Sequence, residues 1–322
     1  MSSENTGGSV IAMRTRIIAN PHAGGGRHRQ ALRHVVDMLR DEGWEVDLCF
    51  TDAPGAARRL AHEATQAGMD IVVAAGGDGT INETIQALAQ TQTALGILPM
   101  GTVNVWAREV GIPFNLREAA RVLLNGQRRR IDLGVANERY FLLMAGVGLD
   151  AEVTRTVERH RLKRWGLLAY GFVTFRLSMR YRGTRVCLFM NSRRLRTRAL
   201  LIIIGNTQLY AGAFHFTGQA RCDDGLLDVC IIRRQGFFSR LHIILNAFRG
   251  RPRLGPRVTT ERCTSLHLEA SPSLPIQVDG EPVGTTPLDC HVAPAALAVI
   301  VPAIVPEHLF SHALEPTCES ED

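Results

Sequence analysis

The sequence predicts two domains: an α/β domain with a parallel sheet, then a mostly antiparallel β domain of the sandwich type. Three observations lead there. The first 135 residues alternate continuous apolar runs with helix-period segments, and strands apolar on both faces belong in a parallel sheet covered by helices. After Asp132 the rhythm changes to strand-like runs separated mostly by turns. The length, 322 residues, exceeds what one core usually absorbs. The expected boundaries are 14–135 for the first domain and 136–298 for the second, with a return to the first over 299–312. The polar stretch 1–13 and the acidic stretch 313–322 are expected to be disordered.

Taken in order, residues 16–19 form an apolar strand stopped by Asn20-Pro21, and Gly24-Gly25-Gly26 follow. Residues 28–41 read as a helix because Leu32, Val35, Val36 and Leu39 keep helical spacing. A strand at 46–50 and a helix at 54–67 come next. The nearly unbroken apolar strand 70–75 runs into Gly76-Gly77-Asp78-Gly79-Thr80, then a helix over about 81–89 and a strand at 95–98. In the second domain the strands are expected at 140–144, 185–190, 199–204, 227–232, 265–270, 276–278 and 297–301. Helical interruptions are expected near 151–180 and 237–249.

A net charge of +6 points to an anionic partner, and the 6% aromatic content argues against a stacking platform for single strands. No nucleic-acid motif accompanies the charge, so nucleic acid is not an expected partner. The seven cysteines are scattered without a Cys-x-x-Cys pair, which favours a reducing compartment over a disulfide or zinc framework. No apolar run reaches the roughly 18 residues of a membrane span, and the N-terminus lacks the apolar core of a secretion signal. The expectation is a cytoplasmic protein that touches the inner membrane surface at most peripherally. The stretch 155–185 is basic, with Glu158 its sole acid and Trp165, Tyr170, Phe172 and Phe175 interleaved. It reads equally as a helix lying on an anionic bilayer or as one packed on the β domain.

Ligands of parallel sheets sit beyond the carboxyl ends of the strands, which directs attention to the loops 20–26, 76–80 and 99–104. In Gly76-Gly77-Asp78-Gly79-Thr80 the glycines let backbone approach a phosphate, and the amides opening the next helix point at the anion. Asp78 is the odd member: a carboxylate there would repel phosphate unless a cation stood between them, which implies Mg2+. Taken alone, Asn20-Pro21 is a turn, Thr51 a helix cap, Asp223-Asp224-Gly225 with Asp228 an Asx turn, and Asp279-Gly280-Glu281 a hairpin turn.

Together these motifs resemble the diacylglycerol kinase catalytic-domain family, which includes bacterial lipid kinases, sphingosine kinases and ceramide kinases. Gly-Gly-Asp-Gly-Thr alone is shared with NAD kinases and 6-phosphofructokinases. The choice among them comes from Asn20-Pro21-His22-Ala23-Gly24, Leu98-Pro99-Met100-Gly101-Thr102-Val103-Asn104 and Asp132-Leu133-Gly134 in the first part of the chain. Asp223-Asp224-Gly225-Leu226-Leu227-Asp228 and Val278-Asp279-Gly280-Glu281 add to it, and the matches keep family order from about 16 to 305.

The resemblance implies the NAD kinase/diacylglycerol kinase-like fold and an ATP- and Mg2+-dependent transfer of the γ-phosphoryl group to a lipid hydroxyl at a membrane surface. It implies nucleotide contacts from Asn20, Pro21, His22, Ala23, Gly24, Thr51, Gly76, Gly77, Asp78, Gly79, Thr80, Ile81, Asn82 and Thr102. It makes Glu281 the general base, with Asp279 sharing or orienting that role and Asp78 acting through Mg2+. A structural Mg2+ is implied at Asp224 with the carbonyls of Arg221 and Leu226, and a homodimer is compatible with the family. One departure stands out: Val105 follows Asn104 where many such kinases carry Asp, which leaves the identity of the lipid open. The rival readings are a soluble NAD kinase-like enzyme and a non-catalytic lipid-binding regulator. His22, His28 and His34 are poorly spaced for one metal site, and His215 reads as structural.

Overall fold

The structure is a computed structural model that describes residues 12–26, 28–149, 183–210, 212, 214–233, 246 and 257–311. The expected helical interruptions near 151–180 and 237–249 lie outside these residues apart from Asn246. So do most of the basic stretch 155–185 and the expected disordered ends, 12 and 13 excepted.

The first domain alternates β1 (Arg14–Ala19), α1 (Arg29–Asp41), β2 (Glu45–Phe50), α2 (Ala56–Gln66), β3 (Ile71–Gly76), α3 (Asp78–Leu88) and β4 (Ala94–Pro99). The helix α1 forms for the reason its spacing predicts: Leu32, Val35, Val36 and Leu39 are all buried on one face. Every residue of β3 and β4 is buried, as parallel strands covered on both faces must be. Two short helices, α4 (Val105–Val110) and α5 (Leu116–Asn125), complete this half and were not anticipated. The cap of α5 was legible: Asn115 accepts from the amides of Arg117 and Glu118 at 3.0 and 3.2 Å. The helix α3 also starts at Asp78, three residues ahead of the expectation, so Asp78 lies in its first turn.

The β-rich half comprises β5 (Gln127–Ala136), β6 (Arg139–Phe141), β7 (Met144–Gly148), β8 (Thr184–Met190), β9 (Arg193–Gly205), β10 (Leu209–Tyr210) and β11 (Phe214–His215). After these come β12 (Leu227–Arg233), β13 (Val258–Cys263), β14 (Ser265–Ser271), β15 (Pro275–Val278), β16 (Glu281–Thr285) and β17 (Leu288–Val301). Among the described residues the two halves share one 15-stranded sheet, whose main path runs β16-β15-β7-β9-β8-β14-β17-β4-β3-β1-β2. The joint is β17. It pairs antiparallel with β14 and β5, and in parallel with β4 through Ala298↔Ala94 and Val299↔Leu95.

Only 297–301 of β17 was expected, because Pro294 interrupts the apolar pattern. The register shifts between Ala293 and Leu297, where Ala295 has φ 47°, so the proline sits in a bulge. The Asp132 carboxylate accepts the Ala295 amide at 2.7 Å and keeps that bulge satisfied. One apolar core lies under the parallel sheet and its helices, and a second fills the β half around Ile202, Ile204, Val229, Leu268, Ile276 and Leu288.

Candidate active site

Three loops leave the carboxyl ends of the neighbouring parallel strands β1, β3 and β4, and they interlock. The amides of Met100 and Gly101 donate to the Gly76 carbonyl at 2.9 and 3.2 Å. Asn104 is wholly buried in the left-handed region (φ 46°). Its Oδ1 accepts from Gly101 N at 2.7 Å and its Nδ2 donates to Gly76 O at 2.9 Å. A Cβ on Gly101 would stand 2.6 Å from Gly77 Cα, so these two loops meet backbone to backbone and the glycine is sterically required. A Cβ on Gly24 would run into the His28 ring and lie 3.0 Å from the Met100 carbonyl, which joins the first loop to the same floor.

Asp78 braces the assembly. Its carboxylate accepts from Asn104 N at 3.1 Å and Val105 N at 2.7 Å. Burial raises its pKa, and those two amides pull the other way. The position taken by Val105 therefore serves Asp78 through its backbone, while its side chain is buried. Gly79 is exposed at the amino end of α3, where amides and helix dipole favour an anion.

The β half supplies the opposite wall. β15 and β16 form a hairpin whose two-residue turn is Asp279-Gly280, with φ 45° and 82° and Val278 paired to Glu281. Asp-Gly is the pair such a turn prefers, since both residues need positive φ. The Asp279 carboxylate collects the amides of Leu142, Leu143 and Met144 at 2.8, 3.0 and 2.8 Å. Burial pushes its pKa up to about 6 against those three amides, and the charge of Asp78 adds to the rise. Asp279 is thus committed to backbone and holds the hairpin in place. Glu281, two residues on, is one-third exposed, and its Oε1 lies 3.7 Å from where a Cβ on Gly79 would be. Its Oε2 is ion-paired to Arg139.

The loop residues Asn20, Pro21, His22, Ala23, Gly24, Gly76, Gly77, Asp78, Gly79 and Thr102 line these three strand ends, and Thr51 closes β2 beside them, its amide on Ala19 O at 2.9 Å. Asn20 is occupied locally, accepting His22 N at 2.9 Å. Three of the expected contacts point elsewhere. Thr80 folds back across Gly76, Ile81 is a core side chain, and Asn82 is 1% exposed beneath Gln86. Helical geometry turns them inward, one turn past the exposed Gly79. Gln86 in turn clasps Tyr140 through N and O at 3.1 and 2.8 Å, and Glu83 caps α2 by accepting Gly55 N and Ala57 N at 2.9 and 3.1 Å.

The expected metal site at Arg221, Asp224 and Leu226 has other partners. Asp224 Oδ1 accepts Leu226 N at 3.1 Å, Asp224 Oδ2 pairs with Arg262, and Arg262 Nε reaches Asp228 at 3.1 Å. The β12–β13 register places Arg262 opposite Asp228. Both oxygens of Asp224 are engaged, one by the Leu226 amide and the other by the Arg262 guanidinium, which already neutralises it. Among the described residues no group of three or more His, Cys, Asp or Glu is arranged as a metal cage. At the strand ends the case differs. Asp78 and Asp279 interact, the Arg108 charge favours the ionised form of Asp78, and Glu281, itself paired with Arg139, borders Gly79. Both oxygens of Asp78 accept backbone amides, so a magnesium ion there would share them with Asn104 N and Val105 N and take most of its shell from phosphate oxygens.

Comparison with known proteins accounts for both halves. The family model described as diacylglycerol kinase catalytic domain matches residues 14–136, and that described as YegS C-terminal NAD kinase beta sandwich-like domain matches 144–301. A diacylglycerol kinase of Staphylococcus saprophyticus is 30% identical over 276 residues, covering 85% of this chain and 90% of the relative. The chain belongs to the diacylglycerol kinase family. Another member, from Staphylococcus aureus, is 29% identical over 302 residues, 93% of this chain and 96% of its own. Two Bacillus anthracis crystal structures share the fold. One superposes with a TM-score of 0.80 at 24% identity over 92% of this chain and 97% of that one. The other, of a diacylglycerol kinase, has a TM-score of 0.72 at 21% identity over 90% and 97%. The lipid kinase fold so identified brings Asp78 and Glu281, far apart in sequence, to one cleft. Arg139 and Gln86 were missed: Arg139 stands just ahead of the Phe141-Leu142-Leu143-Met144 run, and Gln86 lies within α3, where no local signal marks it.

Proposed function

We propose that this lipid kinase transfers the γ-phosphoryl group of Mg-ATP to a hydroxyl of diacylglycerol or a related lipid presented at a membrane surface. The observation that carries the reading is the approach of Glu281 Oε1 to Gly79: a carboxylate of the β half borders the glycine loop of the α/β half. The loops at 20–24, 76–79 and 101–102 would hold the triphosphate through backbone amides and the α3 terminus. A magnesium ion held with the phosphates by Asp78 would neutralise the charge on the transferring group. Glu281 would accept the hydroxyl proton as the new phosphorus–oxygen bond forms. Asp279 keeps the hairpin, and with it Glu281, at a fixed height over the loop. No step passes through Asp224. Among the described residues no helix is long and apolar enough to cross a membrane, so the lipid would be met at a surface.

The test is incubation with γ-labelled ATP and phosphatidylcholine vesicles carrying dioleoylglycerol, monooleoylglycerol, phosphatidylglycerol or sphingosine. A labelled lipid with one phosphate more than the acceptor is the expected product. Label in NADP when NAD is supplied, with none in lipid, would overturn the reading in favour of an NAD kinase.

A further inference from the structure

We propose that Arg139 is a positioning residue for Glu281: it pins one carboxylate oxygen and leaves the other aimed at the glycine loop. This rests on Glu281 acting as the base.

The two oxygens of Glu281 have separate surroundings. Oε2 is ion-paired with the Arg139 guanidinium, and Oε1 faces Gly79. A glutamate has three rotatable side-chain bonds, and a proton acceptor that wanders loses alignment with its hydroxyl. A charge-assisted hydrogen bond to Oε2 selects one rotamer and keeps the anion in place while Oε1 stays available.

Stability does not explain why an arginine stands here. Both partners are about one-third exposed, and a pair so placed adds little to stability. Arg139 Nε is meanwhile buried with no hydrogen-bond partner among the described residues, an arrangement that is destabilising. The local balance is unfavourable, as is common where a side chain is held for chemistry.

The backbone fixes Arg139 from both walls of the cleft. The β5–β6 hairpin pairs Ala136 with Arg139. Tyr140, next in sequence, is clasped through N and O by Gln86 of α3, the helix that begins at Asp78 and Gly79. Leu142, Leu143 and Met144 give their amides to Asp279, two residues before Glu281. Arg139 therefore moves with the glycine loop and with the hairpin together.

In the reaction, the acceptor oxygen forms its bond to the γ-phosphorus while the bond from that phosphorus to the β–γ bridging oxygen breaks. The electron pair leaves with ADP, and the hydroxyl proton passes to Glu281 Oε1. Arg139 takes no proton and touches no reacting atom.

The experiment compares wild type, Arg139→Met, Arg139→Lys, Glu281→Ala and the Arg139→Met/Glu281→Ala double variant, using Mg-ATP and the four vesicle acceptors above. Arg139→Met is expected to lower kcat ~10–100-fold with KM for ATP within about twofold. Arg139→Lys, which keeps the charge but not the planar fork, is expected to recover part of the loss. Glu281→Ala and the double variant are expected to be equally slow, because Arg139 acts only through the carboxylate. Full activity of Arg139→Met overturns the proposal. So does an equal further slowing of Glu281→Ala by Arg139→Met, which would mark an independent role. Full activity of Glu281→Ala instead overturns the base reading, and a wild type that labels none of the acceptors overturns the kinase reading. Each removes this proposal with it, by a result distinct from the first two.

Discussion

The loop Gly76-Gly77-Asp78-Gly79-Thr80 and the turn Asp223-Asp224-Gly225 look alike on paper, carboxylates among glycines beside a strand. They treat charge in opposite ways. In the turn, Arg262 stands on Asp224 and Asp228, Asp223 accepts the Ser311 amide at 2.6 Å, and Gly225 N goes to Asp132 at 2.6 Å. Even there burial holds the Asp228 pKa up to about 6, with Arg262 drawing it down. At the loop, Asp78 and Asp279 are raised by burial, interact with each other, and accept hydrogen bonds from backbone amides, with the Arg108 charge drawing Asp78 down slightly. A turn that carries its own cation is a brace. Aspartates held by backbone amides are suited to a cation brought by a ligand.

The comparison is broken most directly at Asp78. Asp78→Asn loses the charge and keeps only one of the two acceptors, because Asn104 N and Val105 N bond separate oxygens. It is expected to lower the phosphoryl-transfer rate by ~10³-fold or more, with circular dichroism unchanged. Near-normal transfer would show that the loop carboxylate is as structural as Asp224. Glu281→Ala is expected to cost ~10²–10⁴-fold in kcat while isothermal titration still shows nucleotide binding.

Glu109 offers a third kind of carboxylate, buried on α4 and accepting the amides of Gln208 and Leu209, with the Thr207 hydroxyl beside it. Burial raises its pKa to about 7 from 4.5. The folded state thus prefers it protonated. Its contribution to stability is complete below about pH 4.5 and is lost as pH rises through 7, a difference on the order of 3 kcal/mol. Glu109→Gln is expected to flatten that part of the stability–pH curve, read by chemical denaturation between pH 5 and about 8. An unchanged slope would place the pH dependence elsewhere.

Gly101→Ala forces a Cβ against Gly77 Cα and Asn104 Oδ1, where backbone cannot yield. It is expected to cost about 1–3 kcal/mol and to weaken ATP binding with it. Asp224→Ala is the mildest. Removing one partner of a pair in which Arg262 is 36% exposed should lower Tm by a few degrees, roughly 1 kcal/mol, and leave transfer largely intact. Loss of transfer without loss of Tm would move Asp224 from brace to active site.

Much of the first domain was legible because its signals are local. Leu32, Val35, Val36 and Leu39 announce α1, and the unbroken run before Gly76 announces a buried strand. The misses also have local causes. α4 is too short to show a period, α5 shows one through Leu116, Ala119, Ala120 and Leu123 that was overlooked, and β17 is split by Pro294 at its bulge. In the site, Gly79, Asp78 and Glu281 were named from motifs. Ile81 and Asn82 belonged to the same string but turn into the core.

By itself the sequence determined the strands and helices of the α/β half from β1 to β4, where glycine-rich turns interrupt them, and which carboxylates lie in those turns. Only the tertiary structure decided which of those carboxylates would meet a cation from the chain. Arg139 and Glu281 are 142 positions apart, and Arg262 reaches Asp224 across the 38 positions that separate them. Periodicity reports a residue's neighbours within a turn or a pleat. Contacts at such separations depend on strand register and on burial summed over a whole sheet, and no short window of sequence carries that sum.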